Sequence, residues 1–140
     1  MSLFVLDTDV LSLLQHCHAG IRDRVERCEP GQVAISVITV DEQLSGWYTL
    51  VRQAKKPPQL AYAYDRLAKN VMFLSRTRIL PFPESAIALF EGLKKAKLGV
   101  EGNDLRIAAT AIDLKATVVT RNIRDFKLIP GLTIEDWSQL

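Results

Sequence analysis

The chain has 140 residues, is 48% hydrophobic and 24% charged, and carries a formal net charge of +2. That makes one ordinary globular domain over residues 1–140, with enough apolar material for a full core and only a mild basic bias. Two cysteines, Cys17 and Cys28, exclude a disulfide framework, and no apolar run is long enough to cross a membrane, so a soluble cytoplasmic protein is expected.

Leu3–Leu6 is apolar and bounded by polar residues, which predicts a short buried strand. Thr8 or Asp9 can cap a helix beginning near Val10, with Leu11 and Leu14 on one face. A polar helix over Ile21–Cys28 follows, and "EPGQ" (Glu29–Gln32) breaks the pattern. "VAIS" (Val33–Ser36) predicts a second strand. From Thr39 the apolar period becomes helical, with Leu44, Trp47, Val51 and Ala54 on one stripe, so Trp47 is expected in the core and Tyr48 at a helix interface. "KKPP" (Lys55–Pro58) stops that helix. Leu60, Tyr64, Leu67, Val71 and Leu74 give the clearest helical stripe in the chain, which core packing would explain. "ILPF" (Ile79–Phe82) reads as a strand, and Pro83 or Glu84 starts a helix to about Leu98. Asn103 can cap a helix whose apolar face is Ile107, Ala108, Ala111 and Ile112. "ATVVT" (Ala116–Thr120) is another buried strand, and "IPGLTIEDW" closes with a short strand and turn. Short strands alternating with helices imply an α/β fold, a central parallel sheet flanked by helices on both faces.

In such folds ligands gather at the carboxyl ends of the strands. Asp7 ends the first strand, Glu42 lies one or two turns into the helix after the second, and Asp104 lies in the first turn of a helix. Asn122 and Asp125 follow the "VVT" strand. Taken singly, each has an ordinary explanation as a cap, a turn former or a solvated helix residue. Taken together, clustered carboxylates repel, so the set makes sense around a hard cation that takes oxygen ligands.

Four segments resemble the PIN-domain ribonucleases, specifically the VapC-type toxins of bacterial toxin–antitoxin pairs. They are "VLDTDVLS" (Val5–Ser12), "SVITVDEQLSG" (Ser36–Gly46), "NDLRIAATAI" (Asn103–Ile112) and "VVTRNIRDFKLIPGL" (Val118–Leu132), and they occur in the family's order and spacing. The resemblance implies a PIN fold and a site in which Asp7, Glu42 and Asp104 bind one or two Mg²⁺ or Mn²⁺ ions, with Asn122 or Asp125 completing it. It implies cleavage of single-stranded or looped RNA by metal-activated water, leaving a 5′-phosphate and a 3′-hydroxyl. It also implies a VapB-like antitoxin that covers the site, and a homodimer. Three positions depart from the family's usual pattern: Asp9 stands where Asn is usual, Gln43 replaces an apolar residue after Glu42, and Asn122 stands where many members carry a fourth acid.

Thr8 and Thr120 offer hydroxyls to waters or phosphate, and Arg121, Arg124 and Lys127 offer cations to RNA phosphates or antitoxin carboxylates. "HCH" (His16–His18) with Cys28 lacks a second close ligand pair, so a half-buried cysteine at a helix end is expected in place of zinc. Two other functions compete. "VLDTDV" and "GND" also resemble haloacid-dehalogenase-like phosphatases, which would leave Glu42 without a role. A catalytically quiet PIN module that only binds RNA or protein would have no need for three repelling acids at one rim.

Overall fold

The computed structural model describes residues 2–139. The apolar runs form five short strands: β1 (Phe4–Leu6), β2 (Val33–Ser36), β3 (Arg78–Leu80), β4 (Thr117–Val119) and β5 (Thr133–Glu135). All pair in parallel, in the order β3-β2-β1-β4-β5, with Phe4 in register with Val33 on one side and Thr117 on the other. Between the strands run α1 (Thr8–Gln15), α2 (Ala19–Glu26), α3 (Val37–Gln53), α4 (Pro57–Leu74), α5 (Glu84–Lys95), α6 (Gly102–Asp113) and α7 (Ile123–Phe126).

Successive strand residues point to opposite faces, and both faces are buried. Val5, Ala34 and Val118 pack with Phe90, Ile107, Ala108 and Phe126, so α5, α6 and α7 cover that side. Leu6, Ile35 and Val119 pack with Val10, Leu11, Ile21, Leu74 and Trp137, so α1, α2 and the end of α4 cover the other. The expected sheet flanked on both faces is the architecture found. No helix among the described residues is long and apolar enough to cross a membrane.

Several helix boundaries differ from the sequence reading. The cap of α1 is Asp7, not Thr8 or Asp9: Val10 N donates to Asp7 Oδ1 at 2.8 Å. Ser36 caps α3 in the same way, its Oγ accepting from Ile38 N at 3.0 Å. Helix α6 starts one residue before Asn103, whose Oδ1 instead accepts from Arg106 Nη1 at 2.8 Å. The short α7 was not anticipated.

The largest departure concerns α3 and α4. The stripe expected in the core is mostly outside: Leu60, Tyr64 and Val71 are 38%, 54% and 48% exposed, while Ala63, Asn70 and Leu74 are buried. The reason is architectural. Helix α4 packs chiefly on α3, so the pair forms a hairpin that leaves one apolar face in solvent. Trp47 is only half-buried, with the Arg66 guanidinium 5.8 Å from its ring centroid, and Tyr48 is exposed.

A carboxylate cleft at the ends of β1 and β4

The strand order reverses beside β1, since the chain steps outward to β3 and returns to β4 on the other side. A crevice therefore opens at the carboxyl ends of β1 and β4. Asp7 N donates to Val119 O at 3.0 Å, which pins the two strand ends together. Asp7 is buried there. Burial pushes its carboxyl above the usual carboxylate range; hydrogen bonds from the Thr120 hydroxyl and from Val10 N oppose that rise. Thr120 is itself fully buried and accepts from Asn122 N at 2.9 Å. It therefore holds Asp7 and the start of the next loop, and cannot offer its hydroxyl to substrate as the sequence suggested.

Glu42 reaches the same crevice from α3. Thr8 Oγ1 donates to Glu42 Oε1 at 2.7 Å and lies 3.0 Å from Thr39 Oγ1. A hydroxyl has one proton, and Thr8 gives its proton to a carboxylate that can only accept; Thr39 is therefore the donor to Thr8. Thr39 is fully buried, a positioning residue that sequence reasoning missed. Its signal was a hydroxyl on the same helix face as Glu42, one turn earlier.

Asp104 enters from the first turn of α6 and is half-buried. Burial first, then the charges of Glu101, Asp7, Glu42 and Asp125, push its carboxyl up to about 6. Glu101, unremarked in the sequence, is the largest of those charges; it directly precedes α6. Asn122 Nδ2 donates to Asp125 Oδ2 at 3.0 Å.

Asp7, Thr8, Asp9, Glu42, Asp104, Arg121 and Asn122 line a cleft of about 450 Å³. The structure thus brings together the acids that were singled out, with Asn122 at the wall and Asp125 behind it. Arg121 also lines the cleft, but it is not free: Nε and Nη2 clamp Asp9 Oδ2 and Oδ1 at 2.8 and 3.0 Å. The unusual Asp9 is neutralised by that fork. Arg124 is exposed on α7 and is not in the wall.

The donor set fits a hard divalent cation. It consists of carboxylates and one amide, with no histidine or thiol. Among the described residues, no three His, Cys, Asp or Glu side chains stand close enough to share an ion. The phosphatase reading fails here, because no lysine lines the cleft and Glu42 does. Cys17 is exposed, and Cys28, half-buried at the end of α2, donates its thiol to Arg24 O at 3.3 Å.

A protein-family model described as PIN domain matches residues 4–132. Ribonuclease VapC2 of Rickettsia felis is 31% identical, over 98% of this chain and 99% of its own length. The tRNA(fMet)-specific endonuclease VapC of Salmonella typhimurium is 33% identical, again over 98% and 99%. The solved structure of DNA-bound VapBC from Salmonella typhimurium matches with a TM-score of 0.78 and 30% identity, covering 98% of this chain and 99% of that one. With sheet order, acidic cleft and matched length in agreement, the chain belongs to the PIN domain family, in its VapC branch.

Proposed function

We propose that this protein is a Mg²⁺- or Mn²⁺-dependent endoribonuclease, acting as the toxin of a toxin–antitoxin pair in the cytoplasm. One observation carries the reading: Asp7 after β1, Glu42 on α3 and Asp104 on α6 line one cleft at the topological switch point, where burial, with the charges of Glu101, Asp7 and Glu42 added to it, lifts Asp104 to about 6. Such a cluster is costly unless a cation offsets it. Asp7, Glu42 and Asp104 would close in on the ion from the wider spacing they have without it, with Asn122, backed by Asp125, beside them. When bound, the ion supplies charge neutralisation at the phosphoryl oxygen and a more acidic water. The chain's own side chains do the positioning. The Thr39–Thr8 relay fixes Glu42, and Thr120 with the α1 cap fixes Asp7. Arg121, at the mouth, holds a backbone phosphate when it leaves Asp9.

The relatives' names support RNA as substrate, and the VapBC complexes support a VapB-like antitoxin as partner. A homodimer is part of the same proposal. The test is cleavage of labelled total RNA with Mg²⁺ or Mn²⁺ and with EDTA, comparing wild type with Asp7→Asn and Asp104→Asn. Cutting that needs the metal and both acids is expected. A folded, metal-replete wild type that cuts no RNA would refute the enzyme and leave a binding module.

A further inference from the structure

Two of the three cleft carboxylates have anchors already described. Asp7 is held at the end of β1 by the cap of α1, and Glu42 by the threonine relay. Asp104 has no such bond to its carboxylate among the described residues. It also sits on the least constrained part of α6. The first four N–H groups of any helix lack intrahelical acceptors. Here the first turn begins at Gly102, the most permissive residue, and Glu101 before it supplies no side-chain cap. Helix ends of that kind open first.

One side chain closes this turn. Arg106 reaches back along α6, and its Nη1 donates to Asn103 Oδ1 at 2.8 Å. A β-carbon on residue 102 would stand 3.3 Å from the same Nη1, so glycine is what lets the guanidinium lie against the turn. The guanidinium also covers Phe90 of α5, its carbon 4.5 Å from the ring centroid. Phe90 is buried and meets Phe82 edge-on, so it is a fixed platform. Arg106 thus ties the turn that bears Asp104 to a neighbouring helix. Arginine suits the task, because its planar fork can donate in its own plane and stack on an aromatic face at once.

We propose that Arg106 is a positioning residue for the metal site. By clasping Asn103 and stacking on Phe90 it fixes the first turn of α6, so that Asp104 meets a divalent cation with only its side-chain torsions left to order. The inference rests on the metal reading above. Ligands held by an ordered outer layer bind more tightly, because ordering the chain does not then oppose binding.

Calorimetric titration of the full chain with Mn²⁺, in the absence of RNA, tests this. Arg106→Met keeps an apolar stem over Phe90 and removes the donors, and Asn103→Ala removes the acceptor while leaving Phe90 covered. Each is expected to weaken Mn²⁺ binding about tenfold. The double variant should bind no more weakly than either single one, since both break one clasp. Melting curves in EDTA check that each variant is folded, and Asn103→Ala keeps the question decidable if Arg106→Met is not. At saturating Mn²⁺, RNA cleavage should recover with KM for RNA unchanged. Wild-type Mn²⁺ affinity in the folded variants would overturn the positioning role and leave the metal site standing, with Arg106 only joining two helices. Additive losses would overturn the clasp. Unchanged Mn²⁺ affinity with a raised KM for RNA in Arg106→Met would also overturn it, in favour of a direct phosphate contact. A folded wild type that binds no Mn²⁺ would refute the metal reading itself, and the proposal with it.

Discussion

Asp104→Asn is expected to stabilise the metal-free protein. The Asp104 carboxyl is raised from an ordinary 3.8 to about 6 by burial and by four neighbouring acids, so the folded state tolerates its proton better than its charge. At full strength that rise would cost the ionised folded state about 3 kcal/mol. Asp104 is only half-buried and water screens part of the repulsion, so about 1–1.5 kcal/mol is expected. In a chain of 140 residues that corresponds to a melting temperature about 3–5 °C higher for the variant at pH 7.5 in EDTA. The pH dependence has a definite sign. The folded state binds more protons between the two values, so this contribution favours wild type below about pH 4 and is lost as pH rises through about 6. The variant should therefore show a flatter stability profile between pH 4 and 6.5. Added Mg²⁺ should reverse the ranking, because an ion held as proposed would stabilise the wild-type fold through three carboxylates, one of which the variant lacks. Differential scanning calorimetry with and without Mg²⁺ reads all of this. An Asp104→Asn variant that melts lower than wild type in EDTA, or matches its pH slope, would show that the acids do not strain the cleft.

Other outcomes follow from the same geometry. Asp7→Asn keeps an α1 cap whereas Asp7→Ala removes it, so the alanine variant should be less stable by about 1 kcal/mol in urea melts. Thr39→Val removes the donor to Thr8 at nearly constant volume; RNA cleavage should fall in kcat with KM little changed, by about tenfold for a misplaced Glu42. Asp9→Asn releases Arg121 from its fork, which should leave the melting temperature unchanged and steepen the salt dependence of RNA binding by about one phosphate contact. Equal salt slopes for Asp9→Asn and wild type would remove Arg121 from the substrate site.

The strand ends were legible because an apolar run that stops at a polar residue has few alternatives in an α/β chain. Asp7, Glu42 and Asp104 could be singled out on that basis, and the family resemblance supplied the reason to group them. Side-chain direction was not legible. Thr120 and Asn122 are two residues apart, yet one is sealed under Asp7 and the other lines the cleft. Helical periodicity found the stripe on α4 but could not say what faces it, since the same pattern serves a core helix and one arm of a hairpin. Glu42 and Thr39 depend on contacts across 34 and 31 residues of sequence, to Thr8, which no local pattern encodes.

The α3–α4 hairpin divides the molecule into parts that answer to different demands. Near Ser36 the base of α3 is locked by its cap and by the threonine relay, and any change there moves Glu42. Toward Gln53 and Pro57 the hairpin presents a groove lined by its own two arms, with Leu50 and Tyr62 exposed. Sequence can drift at that end without disturbing the carboxylates, so a chain built this way can acquire new surfaces for its partners while its cutting chemistry stays fixed.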